Sequence, residues 1–298
     1  MKTTPKIVQL LINPSAGHGR VNAVISAATH QFREPEWKLL VHVLSGPEEA
    51  YVLTQDAVRK KRFAVIVAGG DGTINEVARA LSRKKTALGI IAVGTGNGFA
   101  RDLGIPLNPV KACAVIAATK MAQVDLGSLN DERVFVSICG AGFDAWAARR
   151  ANQLRWINKF SGFMRYLVSG VLASLEFKAP VVKVSVDGKT HEGPCLLVTV
   201  ANGEQYGFGA TIAPGASLSD GKLDILLLPP LNVISLLRNA IHLYSKKPLL
   251  GATRLIGKKI RIESVDKTDL PLHIDGETVG LGPANIRILP RALKVIIP

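Results

Sequence analysis

A chain of 298 residues, 47% of them hydrophobic, has the apolar material for a substantial core and the length for two domains of ordinary size, which excludes a disordered protein. Its 37 basic against 23 acidic side chains leave a formal charge of +14, so nucleic acid, an acidic membrane surface or a phosphorylated ligand are favoured as partners over anything cationic. No segment offers about 18 consecutive apolar residues, which argues against a bilayer-spanning helix, and "IVQLLI" near the start is too short for a secretory apolar region.

In chain order, "KIVQLLIN", "WKLLVHV", "FAVIVAGG" and "ALGIIAVG" are apolar runs too continuous for a half-exposed sheet, and they predict buried parallel strands. Between and after them, "VNAVISAATHQF", "PEEAYVLTQDAVRK", "INEVARALSRK" and "PVKACAVIAATK" set apolar residues at helical spacing. Strand and helix in alternation predict a doubly wound α/β nucleotide-binding domain over residues 1–122, with ligands beyond the carboxyl ends of its strands. After "AQVDLGSLN" the pattern changes to short runs: "RVFVSICG", "VVKVSVDG", "CLLVTVANG", "KLDILLLP", "KKIRIES", "LPLHIDG", "NIRILP" and "LKVIIP". Several alternate with period two, as Val182, Val184 and Val186 do against Lys183, Ser185 and Asp187, so residues 123–298 are expected to form a mainly antiparallel, sandwich-like β domain. Helical interruptions are expected at residues 144–176 and 231–247. With no long linker and no internal repeat, the two domains are expected to pack closely around a cleft. Cys113, Cys139 and Cys195 are odd in number and widely spaced among apolar neighbours, which gives neither a disulfide framework nor metal-ligand spacing and points to a reducing, cytoplasmic setting. The six histidines show no ligand spacing either.

Three of the four first-domain strands end in similar chemistry: "NPSAG" (13–17), "GGDGTINE" (69–76) and "GTGNGFA" (94–100). Glycine lets backbone approach a ligand closely, and the N–H groups opening the next helix attract anions, a combination suited to a polyphosphate. Asp71 in such a loop makes sense if it holds water around a magnesium ion or orients hydroxyls, while Thr73 and Asn75 can add hydrogen bonds or cap the helix. Taken singly, "NPSAG" reads more readily as an ordinary turn with a helix cap, and "GTGNG" is weak; "GGDGT" exceeds what a turn requires. None matches GxxxxGK[ST], and GxGxxG is absent from the first strand–helix turn.

"NPSAGHG", "GGDGTINEV" and "GTGNGFARDLGIP", in this order and at these intervals, resemble the diacylglycerol kinase catalytic domain family of bacterial lipid kinases, related to sphingosine and NAD kinases. "VDLG" (124–127), "IAPGASLSDGKLDILLL" (212–228) and "HIDGE" (273–277) extend the resemblance along the chain. It implies an NAD kinase/diacylglycerol kinase-like fold, ATP and Mg2+ as cofactors, and transfer of the γ-phosphoryl group to the hydroxyl of diacylglycerol or a related lipid alcohol. Carried over by position, Asn13, Pro14, Ser15, Ala16 and Gly17, then Gly70, Asp71, Gly72, Thr73, Ile74, Asn75 and Glu76, and finally Thr95 and Asn97 form the ATP site, with Asp71 also catalytic. Asp275 is the favoured base, with Glu277 as rival, although "DGE" alone reads as a hairpin turn. Ser217, Asp220 and Lys222 are the implied magnesium positions, two of them through main-chain carbonyls; without the resemblance "SDGK" is a surface turn.

Two departures stand out. Gly98 occupies the place where many members carry aspartate, and Leu44 with Ser45 stand where the family often presents threonine. An NAD kinase, or a nucleotide- or nucleic-acid-binding protein without catalysis, therefore remain the competing readings. The scarcity of aromatic platforms among the basic clusters disfavours single-stranded nucleic acid. The segment 146–177 mixes arginines with Trp146, Trp156, Phe160, Phe163 and Tyr166, as an interfacial helix would, and it predicts peripheral, salt-sensitive contact with an anionic membrane; packing of those rings inside the second domain is the competing reading. A homodimer is left open.

Overall fold

The computed structural model describes residues 4–17, 19–142, 179–266 and 270–298. The chain divides into two units: one runs to Leu126 and takes in Pro290–Pro298 as well, and the other is Gly127–Leu289. The expected division, at residue 122 with everything after it in one domain, left out this return of the C-terminus. The segments 144–176 and 146–177, expected to be helical and interfacial, fall outside the described residues.

The first unit alternates as its sequence pattern requires: β1 (Lys6–Ile12), α1 (Val21–Gln31), β2 (Trp37–Val43), α2 (Glu49–Arg59), β3 (Ala64–Gly69), α3 (Asp71–Leu81), β4 (Ala87–Ala92), α4 (Gly98–Asp102), α5 (Pro109–Ala118) and β5 (Met121–Leu129), the last of which passes into the second unit. The strands β2, β1, β3 and β4 lie side by side and parallel. Every residue of β3 and β4 is buried, the result of covering a sheet on both faces and the reason their sequences are continuous apolar runs. Beside β4 comes the end of the C-terminal strand, with Val295 opposite Leu88 in parallel register. Buried Asp125 anchors that return: its carboxylate accepts the Arg291 amide at 2.7 Å, at a residue with φ of 51°.

The second unit contains β6 (Arg133–Phe135), β7 (Ile138–Gly142), β8 (Val181–Val186), β9 (Lys189–Pro194), β10 (Leu197–Ala201), β11 (Gln205–Gly207), β12 (Ala210–Thr211), β13 (Leu223–Leu228), α6 (Val233–Tyr244), β14 (Thr253–Gly257), β15 (Lys259–Ser264), β16 (Pro271–Ile274) and β17 (Glu277–Leu281), then β18 (Ala284–Ile296), which leads back into the first unit. One antiparallel sheet runs β14-β13-β10-β7-β16-β17, and β18, β15, β8 and β9 continue in antiparallel register as a second layer. The two layers share a core that includes Phe135, Cys139, Val184, Val198, Ile225 and Ile260. Alternation along β13 explains its unbroken "LDILLL": Leu223, Ile225 and Leu227 enter this core, while Leu226 and Leu228 face a second cluster closed by Leu236 and Leu243 of α6. Asp224 on the same strand is buried and ion-paired to Arg254 at 2.7 Å, which satisfies the one charge among these apolar residues.

All three cysteines are free and buried. Desolvation pushes the Cys113 thiol up to about 11 and also raises Cys195. In the native protein at neutral pH these thiols should resist alkylation, and unfolding should expose all of them; rapid labelling of the folded chain, followed by mass spectrometry, would contradict this burial. Among the described residues no helix is long and apolar enough to cross a membrane.

Candidate active site

Three loops meet at the carboxyl ends of β1, β3 and β4. Directly after β1, the Asn13 amide nitrogen donates to Ala68 O at 2.9 Å, and its side chain bridges two segments. Asn13 Nδ2 donates to Thr73 Oγ1 at 2.8 Å, and Asn13 Oδ1 accepts the Ser15 amide at 2.9 Å. Gly17, with φ of 76°, lies where a Cβ would be 2.7 Å from Val93 O, so "NPSAG" closes onto the end of β4 because it carries no side chain there.

After β3 the chain turns at Gly70, the extended N-cap of α3, whose first turn has no side-chain cap. The leading amides of Asp71, Gly72 and Thr73 therefore lack i−4 helical carbonyls, and together with the helix dipole they form a positive end suited to an anion. Gly69 O accepts both Val93 N and Gly94 N, at 3.1 and 3.2 Å, which binds the third loop to the second. A Cβ on Gly94 would stand 2.5 Å from Gly70 Cα. Asn97 sits at φ of 54° and donates from Nδ2 to Gly94 O at 2.7 Å; its Oδ1 is buried without a hydrogen-bond partner, an acceptor that a ligand's hydroxyl or amine would satisfy. These features fit a nucleotide: the leading amides of a helix for phosphates, close backbone made possible by glycine, and one waiting acceptor.

Within this group the residues differ in what they can offer. Ile74 is fully buried in the core, so only its backbone belongs to the loop, and Pro14 has no amide to donate. Thr73 is buried with its hydroxyl bonded to Asn13, whereas Asp71, Asn75 and Glu76 are half-buried and Thr95 is exposed. Gly94 and Val93 were not singled out from sequence, although their loop was; the glycine alone was the available signal. At the β2–α2 connection Leu44 is buried, and Ser45 Oγ donates to Glu49 at 2.8 Å. The amide and hydroxyl of Ser45 hold the Glu49 carboxyl below its ordinary range.

In the second unit, Asp275 and Gly276 form a two-residue hairpin turn between β16 and β17, with φ of 48° and 88° as the twist of such hairpins demands. The Asp275 carboxylate accepts three amides, those of Val136, Ser137 and Ile138, each at 2.9 Å, and thereby fixes the entry to β7. Asn202 supports the same entry to β7 by donating from Nδ2 to Val136 O at 2.8 Å. Glu277 opens β17 and is exposed. Before β13, Asp220 Oδ1 accepts the Lys222 amide at 3.0 Å around Gly221, and Ser217 Oγ accepts the Ser219 amide at 3.4 Å. No group of three His, Cys, Asp or Glu side chains is placed to hold a metal among the described residues. What this loop offers a cation is one carboxylate and carbonyl oxygens, a donor set for a hard ion alone.

The diacylglycerol kinase catalytic domain model matches residues 8–129, and the YegS C-terminal NAD kinase beta sandwich-like domain model matches residues 137–297. This chain belongs to the diacylglycerol kinase family of lipid kinases. It is 31% identical to a "Diacylglycerol kinase" of Mycobacterium tuberculosis over 98% of this chain and 95% of the relative. To a "Probable lipid kinase YegS-like" of Pseudomonas putida it is 29% identical, over 94% and 93%. A crystal structure of a diacylglycerol kinase from Bacillus anthracis superposes with a TM-score of 0.75 at 24% identity, covering 100% of this chain and 98% of that one, and so shares the fold. The family explains the pairing of an α/β unit with a β sandwich, and the strand-end loops described above lie inside the catalytic-domain match.

Proposed function

We propose that this lipid kinase transfers the γ-phosphoryl group of ATP to the hydroxyl of diacylglycerol or a related lipid alcohol. The observation that carries the reading is the convergence of three glycine-bearing loops on the uncapped start of α3, which supplies phosphate-directed amides on a rigid base. Asn13 holds the first loop against it, and Gly69 O holds the third through Val93 N and Gly94 N.

The acceptor hydroxyl must lose a proton as its oxygen attacks phosphorus and ADP leaves. Between the two late carboxylates, Glu277 is the better base. Protonating Asp275 would forfeit at least one of three amide hydrogen bonds, whereas Glu277 extends into solvent from a strand fixed by the hairpin. Asp275 then acts as a positioning residue that ties the hairpin to β7. Asp71, at the first helical position, is placed to orient water or hydroxyls beside the phosphates. Magnesium, when bound, neutralises charge on the phosphates or orders an oxygen-lined loop, and Asp220 with the carbonyls of Ser217 and Lys222 is the candidate for the second role.

Incubation with labelled ATP, Mg2+, NAD and a total lipid extract tests the reading directly. Label in a chloroform-soluble product supports it, label in NADP would make the protein an NAD kinase, and label in neither would leave a nucleotide-binding protein without catalysis. Mass spectrometry of the lipid product names the acceptor. Asp220→Ala should lower activity several-fold and lose part of its response to Mg2+, because one carboxylate of an otherwise neutral donor set is removed; an unchanged Mg2+ response would reduce Asp220 to a turn residue. Buried free thiols fit work in the reducing cytoplasm, with the lipid met at the membrane surface.

A further inference from the structure

Helix α6 carries two apolar faces. One is internal: Leu236 and Leu243 pack against the cluster on the outer side of β10 and β13. Its rotation is fixed by buried Asn239, whose Oδ1 accepts the Leu250 amide at 2.7 Å and whose Nδ2 donates to Leu250 O at 3.2 Å. His242 Nδ1 meets Pro248 O at 2.7 Å, and Asn232 caps the start by accepting the Ser235 amide at 2.8 Å. A helix held this firmly presents the same outer surface continuously.

That outer surface is apolar. Ile234, Leu237, Ile241 and Tyr244 are 70, 46, 66 and 41% exposed, and their spacing of three, four and three residues lines them along one stripe. Single exposed apolar side chains are ordinary, but four in register on one helix are not. Arg238 flanks the stripe, and Lys246 and Lys247 follow its end, all exposed. No Asp or Glu occurs between Asp224 and Glu263, so nothing acidic within this stretch offsets them. Aliphatic side chains with a terminal tyrosine, in a stretch whose charged residues are all cations, form the pattern of a helix lying in a lipid–water boundary.

We propose that α6 docks flat on an anionic bilayer, inserting Ile234, Leu237, Ile241 and Tyr244 below the head groups while Arg238, Lys246 and Lys247 meet lipid phosphates. A second copy of this chain is the poorer occupant, since a symmetric pairing of this face would bring the three cations of each copy together without a carboxylate from the same stretch. The purpose of the docking rests on the lipid-kinase reading, but the docking itself does not.

The test is co-sedimentation of the full chain with vesicles of equal parts phosphatidylcholine and phosphatidylglycerol, beside pure phosphatidylcholine. The chain should prefer the anionic vesicles. Ile234→Ser with Ile241→Ser should weaken binding at least tenfold, since each removes a largely exposed aliphatic side chain from the boundary layer. Arg238→Ser, Lys246→Ser and Lys247→Ser together should erase the preference and its salt sensitivity. Tyr244→Trp should give fluorescence that brominated lipid quenches. Unaltered melting temperatures establish that these surface variants fold. Unchanged vesicle binding by the Ile234/Ile241 variant, or its conversion of a wild-type dimer into a monomer in light scattering, overturns the proposal. Turnover of a short-chain lipid alcohol dispersed without membrane should be equal in wild type and variants. Its absence in all of them, with vesicle binding still dependent on α6, sinks the kinase reading while sparing this one.

Discussion

Glu277→Gln is expected to lower turnover on a lipid alcohol about a thousandfold while ATP affinity and melting temperature stay at wild-type values. The substitution keeps the side chain's size and its place opposite Ile274 at the start of β17, and removes only the capacity to take a proton. A positioned base contributes about a hundred- to ten-thousandfold, which sets the size of the loss. Nucleotide binding is spared because the loops proposed to hold ATP all lie in the other unit. Asp275→Asn should differ in kind. One of its oxygens becomes a donor facing amides that are themselves donors, so the entry to β7 loses hydrogen bonds to a charged group worth roughly 1.5–3 kcal/mol. Melting temperature and activity should therefore fall together. A fully active Glu277→Gln enzyme beside a stable but dead Asp275→Asn enzyme would return the base to Asp275.

Much of the first unit was legible because its strands are buried on both faces and its loops carry glycine where a strand ends. The second unit was less so, and three of the omissions share a cause. Strand β9, "KTHEGP", has no buried residue, and β14 and β17 are mostly exposed at the two edges of the other sheet. Edge strands hydrogen-bond on one side and face water, so no apolar run marks them. "NIRILP" and "LKVIIP" read as separate strands across Pro290, whereas the pair is one strand serving both units, and its Arg291 amide is held by the distant Asp125. At the site, sequence located the loops but not their pairing. Asn13 with Thr73 and Gly70 with Gly94 are contacts between segments far apart in the chain, and the three amides on Asp275 come from a loop some 137 residues away. Sequence favours Asp275 as the base, and the three amides on its carboxylate are why we propose Glu277 instead: a motif gives residue types, while hydrogen bonds bear on which oxygen is free to take a proton.

Gly94→Ala is expected to reduce ATP affinity well over tenfold and to destabilise the first unit by about 1–3 kcal/mol, the usual effect of forcing a methyl group into closed packing. The added Cβ would meet Gly70 Cα at 2.5 Å, Asn97 Oδ1 at 3.0 Å and Gly70 N at 3.3 Å. Two of those three atoms are backbone, so no side-chain rotation relieves the overlap. Nor can the loops drift apart cheaply, because Gly69 O holds both Val93 N and Gly94 N, while the Asn97 Nδ2 bond to Gly94 O stiffens the third loop itself. Relief requires breaking one of these bonds or shifting Gly70, and a shift of Gly70 re-aims the leading amides of α3 away from the phosphates. Gly193→Ala is the matched control, since a Cβ there meets nothing within 4 Å. Isothermal titration with ATP and Mg2+, paired with urea unfolding, separates the two effects. If Gly94→Ala bound nucleotide as tightly as wild type, the approach of these two loops would have no part in holding phosphate, and the site would have to be sought at other strand ends.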